Sequence, residues 1–271
     1  MNYTGYLHVE VANRQDRSII CNSFFDGILK ITRPIYLSSQ MPLLTLIHVG
    51  GGYVDGDSYK TEVVVHESAS LALTTQASTK VYKSRGHGVT QEMDYRLLDH
   101  SELYVKQDSL ILYKDADFTQ YTNVHMSSSA TFCYTDIVTP GWSEDGKLFQ
   151  YEKVVSKMRI FVDGTLEVFD HLRLIPDEGI DKMMMLEGFT HLGTMFFVHQ
   201  QVNEVIVEKI RHALIDESQS IRFGISMLSV KGLSIRILAN STHVIEKVFA
   251  VCEDLLREST LNVEKIAWRK G

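Results

Sequence analysis

The chain has 271 residues, with 44% hydrophobic and 23% charged side chains, ordinary values for a globular protein and far from a disordered composition. Lys and Arg total 27 against 34 Asp and Glu, a net charge of −7, and no basic cluster offsets it, which argues against nucleic acid and anionic lipid as partners. At this length roughly three quarters of the unfolded surface can be buried, so stability requires neither a disulfide nor a metal staple.

Cys21, Cys133 and Cys252 are far apart, odd in number and free of any CxxC pair. That pattern fits a reducing, cytoplasmic compartment better than a secreted disulfide framework. Met1 to Glu10 alternate polar and apolar residues and lack both a basic start and an apolar centre, so no secretory leader is expected. The apolar stretch Leu43 to Val49 falls far short of the roughly 20 residues of a membrane helix, so no membrane partner is expected.

Period-two alternation dominates from the N-terminus to about residue 200. Leu7, Val9 and Val11 alternate with His8, Glu10 and Ala12; Leu71 and Leu73 with Ala72 and Thr74; Ile160 and Val162 with Phe161 and Asp163. Turn signals separate such segments at Gly50-Gly51-Gly52, Gly86-His87-Gly88, Pro140-Gly141 and Asp163-Gly164. Short strands at this spacing predict a mainly β body, either an extended sandwich or a coil of strands around a core. Two helices follow. Val202, Val205, Ile206, Ile210, Ala213 and Leu214 share one helical face, as do Val244, Ile245, Val248, Phe249, Cys252, Leu255 and Leu256, with Asn240 or Ser241 as N-cap. Between them, residues 221–239 read as two strands around a Lys231-Gly232 turn. The expected organisation is one domain over 1–271: a β body over 1–200, with the helix–hairpin–helix elements of 201–258 packed on it.

The loop Gly50-Gly51-Gly52-Tyr53-Val54-Asp55-Gly56-Asp57-Ser58 is the most unusual segment. Read from Gly51 its spacing is GxxxxGDS, one letter from the phosphate-binding GxxxxGK[ST] pattern. Asp57 in place of the lysine would repel phosphate, and the β-branched run Thr61 to Val65 predicts a strand where a helix should follow. Nucleotide binding is therefore not expected. The three glycines predict positive φ or a close approach of backbones. Asp55 and Asp57 either make Asx-type bonds within the turn or present oxygen ligands to a cation.

The loop from Gly51-Gly52 to Gly56-Asp57 is followed, in order, by Leu73 to Tyr82, Phe118-Thr119-Gln120, Tyr134 to Gly141, and Ser234 to Ala239. This ordered set spans nearly the whole chain and resembles the signature stretches of the urease accessory protein UreD (UreH) family. Departures are Gly141-Trp142 and Gly146-Lys147, where the family usually has Gly-Arg and Gly-Glu, and Gln107-Asp108-Ser109-Leu110 in place of a proline-rich Asp-Pro segment. The resemblance implies a mostly β, β-helical fold with two helices. It implies a non-enzymatic nickel-delivery scaffold that acts with UreF and the GTP-hydrolysing UreG to load nickel into the urease apoprotein, and it leaves open a homodimer of that heteromeric complex. It also implies an internal passage for Ni²⁺ in transit, with no tightly bound cofactor. The positions matching the proposed polar lining are Asp57, Thr79, Asp136 and Asp170.

A carrier must release its cargo. At a Kd of about 1 nM and an on-rate near 10⁷ M⁻¹s⁻¹, escape takes on the order of 100 seconds; at about 1 μM it takes roughly 0.1 second. Carboxylate and hydroxyl oxygens suit the faster case better than thiolate or clustered imidazole. None of the eleven histidines forms His-x-His or His-x-x-x-His, and the sequence holds no close Cys/His cluster. Each candidate has a plainer role as well: Thr79 is common strand chemistry, Asp136 would need a partner if buried, and Asp170 could pair with His171 at the surface. Two rival functions are a hydrolase using Asp55 or Asp57 with a histidine, and a docking module without metal transit. For the latter, Met183-Met184-Met185-Leu186 and Met195-Phe196-Phe197-Val198 are candidate partner surface, against ordinary β core.

Overall fold

The computed structural model describes residues 3–36, 40–180, 182, 185–215, 220–261 and 266–268. Among them the strands form two sheets. The first contains β1 (Gly5–Arg14), β2 (Arg17–Gly27), β5 (Ser58–Val65), β8 (Val89–Leu97), β11 (Asp117–Met126), β13 (Lys153–Val162) and β14 (Thr165–Leu174), in the order β14-β13-β11-β8-β5-β1-β2. The second contains β3 (Leu29–Ile31), β4 (Leu43–His48), β6 (Ser70–Thr75), β9 (Glu102–Lys106), β12 (Thr131–Val138), β15 (His191–Val198), β16 (Arg222–Met227) and β17 (Gly232–Ala239), in the order β16-β17-β15-β12-β9-β6-β4-β3. Two short strands, β7 (Thr79–Val81) and β10 (Leu110–Leu112), pair in parallel off that path.

The chain crosses from one sheet to the other at almost every step. As a result β5, β8, β11 and β13 stack in parallel in the first sheet, and β4, β6, β9 and β12 stack in parallel in the second. This is a β-solenoid-like coil, the second of the two architectures that the alternation allowed. Its lumen holds the larger apolar core, including Leu7, Val63, Tyr95, Leu103, Phe118 and Phe132.

Helices α1 (Glu204–Ile215) and α2 (Thr242–Leu261) cover the outer face of the second sheet through a separate core that includes Ile206, Ile210, Ile245, Phe249, Met195 and Phe197. The Asn203 side chain accepts from the Ile206 N–H at 3.2 Å and caps α1. Ser241 stands just before α2, as read from the sequence, and its carbonyl takes the Ile245 N–H at 3.4 Å. The hairpin β16–β17 extends the second sheet by pairing with β15. No helix among the described residues is long and apolar enough to cross a membrane.

Of the two readings of Met195, Phe196, Phe197 and Val198, ordinary β core holds: all four are buried in β15. A strand covered on both faces reads as an unbroken apolar run, and β15 has the lumen on one side and the helices on the other. Leu186 is buried as well and Met185 packs partly against the lumen core, while Met183 and Met184 lie outside the described residues.

Helix α2 sits directly on the backbone of β15. A Cβ added at Gly193 would meet Ile245 Cγ2 at 2.4 Å and Phe249 Cζ at 2.8 Å. Gly193→Ala is expected to push α2 outward and lower unfolding stability by about 1–3 kcal/mol, measured by chemical denaturation.

Glu253 of α2 is buried and accepts from the Trp268 Nε1–H at 3.1 Å. Burial raises its pKa from 4.5 to about 7, with Trp268, Lys106 and Arg257 working the other way. The folded chain therefore holds this proton longer than the unfolded chain does. Stability should be full below pH 4.5 and fall as pH rises through about 7. Glu253→Gln should flatten that fall in a pH series of melting curves.

Candidate functional site

The glycine loop owes its composition to close packing. Tyr53 donates its N–H to the Lys80 carbonyl at 2.8 Å and accepts from the Tyr82 N–H at 2.9 Å. That contact presses Gly52, at φ 147°, so near Lys80 that a Cβ would lie 2.7 Å from its carbonyl oxygen. Both explanations foreseen for the glycines, positive φ and close approach, hold at this residue.

The two loop carboxylates have separate fates. Asp55 Oδ1 accepts the backbone N–H groups of His87 and Gly88 at 3.1 and 2.8 Å, which ties the loop to the next coil. Asp57 Oδ2 accepts the Val54 N–H at 2.8 Å and the Tyr59 hydroxyl at 2.5 Å, while Oδ1 accepts from Thr4 Oγ1 at 3.1 Å. Only Asp57 bonds an amide of its own turn, that of Val54, while Asp55 reaches across to the backbone of the next coil. A hydrolase built on Asp55 or Asp57 would have to break these bonds to free its carboxylate.

Tyr59 carries the loop inward. It is buried, stacks on Tyr53 with ring centroids 3.9 Å apart, and lines a cavity of about 240 Å³ inside the coil. Burial, followed by the Asp57 hydrogen bond, holds the Tyr59 phenol far above its ordinary range, so it stays a neutral donor. Gly50, Gly51, Gly52, His48, Thr79 and Gln91 line the same space. Burial also lowers the pKa of His48, which favours a neutral imidazole at the cavity.

A second, smaller cavity of about 20 Å³ shares Thr79, Gln91 and Gln107 with the first and adds Gln120, Asp136 and Ser156. Register explains this polarity. Tyr59 pairs with Gln91, Gln91 with Gln120, and Gln120 with Ser156, across four adjacent parallel strands. The result is a polar ladder along the coil, bordered on one side by Val89, Phe118 and Val154. Three strand spacings carry it roughly 14 Å.

The ladder leads to Asp136. Gln120 Nε2 donates to Asp136 Oδ2 at 3.2 Å and to Ser156 Oγ at 2.8 Å. The Tyr134 hydroxyl donates to the same Oδ2 at 3.2 Å and itself accepts from Gln107 Nε2 at 3.0 Å. The other carboxylate oxygen, Oδ1, is sealed from bulk water and makes no hydrogen bond of ordinary geometry among the described residues, with the Thr194 hydroxyl near enough to favour the ionised form. Burial raises the Asp136 pKa, opposed first by the charge of Arg236 and then by its hydroxyl and amide donors.

Beyond Asp136 stands Thr194, its partner across the β12–β15 pair. Arg236 donates to Thr194 Oγ1 at 2.6 Å and to both oxygens of Asp170 at 2.6 Å. Asp170 therefore pairs with Arg236, 66 residues away, where the sequence suggested His171. Thr79 and Asp136 share the small cavity, Asp57 reaches the large one through Tyr59, and Asp170 reaches Asp136 only through Arg236 and Thr194. The sequence reading missed Tyr59, Gln91, Gln107, Tyr134 and Arg236 as members of this chain of contacts. Arg236 and Tyr134 lay inside the family-like stretches, and the inward parity of their strands was the signal that could have found them.

The fold and this interior define a β-solenoid scaffold whose apolar lumen is threaded by a polar file. A sequence model described as UreD urease accessory protein matches residues 3–270. The urease accessory protein UreD of Bacillus sp. (strain TB-90) is 41% identical over 270 residues, covering 100% of each chain. Those of Staphylococcus epidermidis and Lachnoclostridium phytofermentans are 35% identical over 261 residues and 33% over 258, each covering at least 94% of both chains. The chain belongs to the UreD family of urease accessory proteins, a family named for an accessory role rather than for catalysis.

Because burial disfavours the Asp136 carboxylate, this residue costs stability once ionised. Its contribution is full at low pH and is lost as pH rises through its raised pKa. Asp136→Asn is expected to keep or raise Tm at neutral pH and to weaken the decline toward alkaline pH. A fall of several degrees on calorimetry would mark Asp136 as a structural anchor instead.

Proposed function

We propose that this chain is a urease maturation factor that acts with UreF and the GTPase UreG in the cytoplasm, and that it passes Ni²⁺ as cargo along its polar interior toward the urease apoprotein. The observation that carries the reading is Asp136 Oδ1: a buried carboxylate oxygen without a hydrogen-bond partner among the described residues, at the end of a polar ladder, lining the smaller of two cavities with shared walls. Buried acceptors of this kind call for a proton, a water or a cation.

The chemistry of the lining suits movement over storage. Tyr59, Thr79, Gln91, Gln120, Asp136 and Ser156 offer hydroxyl, amide and carboxylate oxygens, and neither lined cavity includes a cysteine. The small cavity holds about one water-sized occupant. An ion at this neck would exchange part of its water for the oxygens of Asp136 and Ser156, and Gln120, whose Nε2 donates to both, would turn its amide oxygen toward it. Arg236 then weakens the grip, since its positive charge favours the ionised carboxylate and repels a cation lodged there. A proton competes for the same oxygen, so occupancy by Ni²⁺ should fall as pH drops through the raised pKa of Asp136.

A docking role without metal transit is the second reading. Phe24 and Phe25 on β2, and Leu166 and Phe169 on β14, are exposed at the two edges of the first sheet and favour protein contacts there.

One reconstitution separates the two. Full-length Asp136→Asn and Gln120→Leu chains are each combined with UreF, UreG, the urease apoprotein and Ni²⁺, and nickel content, urease activity and complex assembly are measured. The passage predicts intact assembly with nickel insertion slowed roughly ten-fold or more. Insertion at the wild-type rate in both variants would leave the docking role alone.

A further inference from the structure

Far from the ladder, the fold builds a ligand set that the spacing of the sequence does not contain. Glu10 lies on β1, Cys21 on β2, and His66 one residue past the end of β5. One ligand atom from each lies within 4.8 Å of the others. Two features of the first sheet bring them together. Glu10 pairs with Asn22 and Val11 with Ile20, so Cys21 is the extra residue of a β-bulge. A bulge re-aims the side chain at the insertion, and Cys21 Sγ here donates to the Glu10 carbonyl at 3.4 Å. On the other flank β5 runs parallel to β1, and His66 donates its N–H to the Val11 carbonyl at 2.8 Å. That bond holds His66 Nε2 at 2.9 Å from Glu10 Oε2.

We propose that Glu10, Cys21 and His66 form a binding site for a divalent first-row transition cation on the outer face of the first sheet. Imidazole, thiolate and carboxylate are each ligands for this class of metal, at about 2.0–2.3 Å for zinc. Ligand atoms so placed around one ion stand about 3.3–3.8 Å apart, which the rotamers of these three partly exposed side chains can reach. The ion takes the place of the hydrogen now shared by His66 and Glu10. His66 binds through Nε2 as its Nδ1–H tautomer, and Cys21 gives up its thiol proton to solvent. A supporting shell is already present. His8 Nε2 and Asn22 Nδ2 both lie 3.0 Å from Glu10 Oε1, which leaves Oε2 for the metal and fixes the carboxylate. Three protein ligands leave a fourth position open to water or to a donor from another molecule.

The site is separate from the proposed passage. Eight residue steps separate Ser58, next to Asp57, from His66, roughly 26 Å of extended chain, and Glu10, Cys21 and His66 line neither interior cavity. A thiolate ligand also makes it the tighter of the two.

The test is a titration of the full-length chain with Ni²⁺, and in parallel with Co²⁺, under a non-coordinating reductant, followed by sulfur-to-metal charge-transfer absorption and by equilibrium dialysis. One equivalent should develop the band in the wild type and in Asp136→Asn. Cys21→Ser should abolish the band and remove one bound equivalent, His66→Ala should do the same or weaken it strongly, and His8→Ala should weaken affinity roughly ten-fold. Cys21 is exposed, so Cys21→Ser is expected to keep the wild-type melting curve, which guards against misfolding as the cause. A band that survives in Cys21→Ser, or a wild type that shows none with either metal, overturns the site. Loss of the band together with normal nickel insertion would leave the site standing and separate it from the passage.

Discussion

The structure depends on parallel, in-register stacking of successive coils. Because β5, β8, β11 and β13 align residue for residue, an inward residue on one coil lies about 4.8 Å from its counterpart on the next. Like therefore accumulates on like. Val63, Tyr95, Val124 and Ile160 form an apolar ladder by this rule, and Tyr59, Gln91, Gln120 and Ser156 form a polar one. A lone glutamine in such a lumen would cost several kcal/mol through unmet hydrogen bonds. Here the need is met partly along the ladder, where Gln120 donates to Ser156, and partly across the lumen, where Gln120 donates to Asp136 and Gln91 accepts from the Tyr53 hydroxyl. The arrangement stops short at Asp136, whose second oxygen has no hydrogen-bond donor among the described residues.

The two helices divide the molecule into chemically different faces. They cover the middle of the second sheet, so β15 is apolar on both sides and holds no exterior chemistry. The first sheet has no such cover, and its outer face is free to hold charge. His8, Glu62, Asp94 and Asn123 are in register there, with Lys60 bridging Glu62 and Asp94 at 3.1 and 3.0 Å. Glu10, Cys21 and His66 belong to this exterior. Oxygen and amide groups thus line the small inner cavity, the His48 imidazole faces the larger one, and a thiol, an imidazole and a carboxylate meet on the outside. Such a division would let one protein hold a metal firmly at its surface and loosely within.

Much of the architecture was legible along the chain. Period-two alternation gave the strands, Gly, Asp and Pro marked the turns between them, and the two 3.6-residue stripes became α1 and α2. The loop glycines were legible as well, since three in a row after a buried strand signal close backbone contact, which Gly52 makes with Lys80. The pairing of Asp170 was not, because Arg236 comes from a strand 66 residues away while His171 was adjacent. Nor was the burial of Met195 to Val198, because an apolar run suits a covered strand and a sticky surface equally until the helices are placed.

What the sequence determined by itself was local: which segments extend, which coil, where the chain turns, and, through an ordered set of family-like stretches, which family it joins. The tertiary structure alone decided which side chains meet. A strand fixes only the parity of its residues, while partners across a parallel sheet depend on the length of every intervening loop and on each bulge. One extra residue in β2 aims Cys21 at Glu10, and the register of three coils sets Gln120 between Gln91 and Ser156. Neither juxtaposition is written in the spacing of the residues concerned, which is why a chain with no Cys/His motif folds into one with a thiol, an imidazole and a carboxylate side by side.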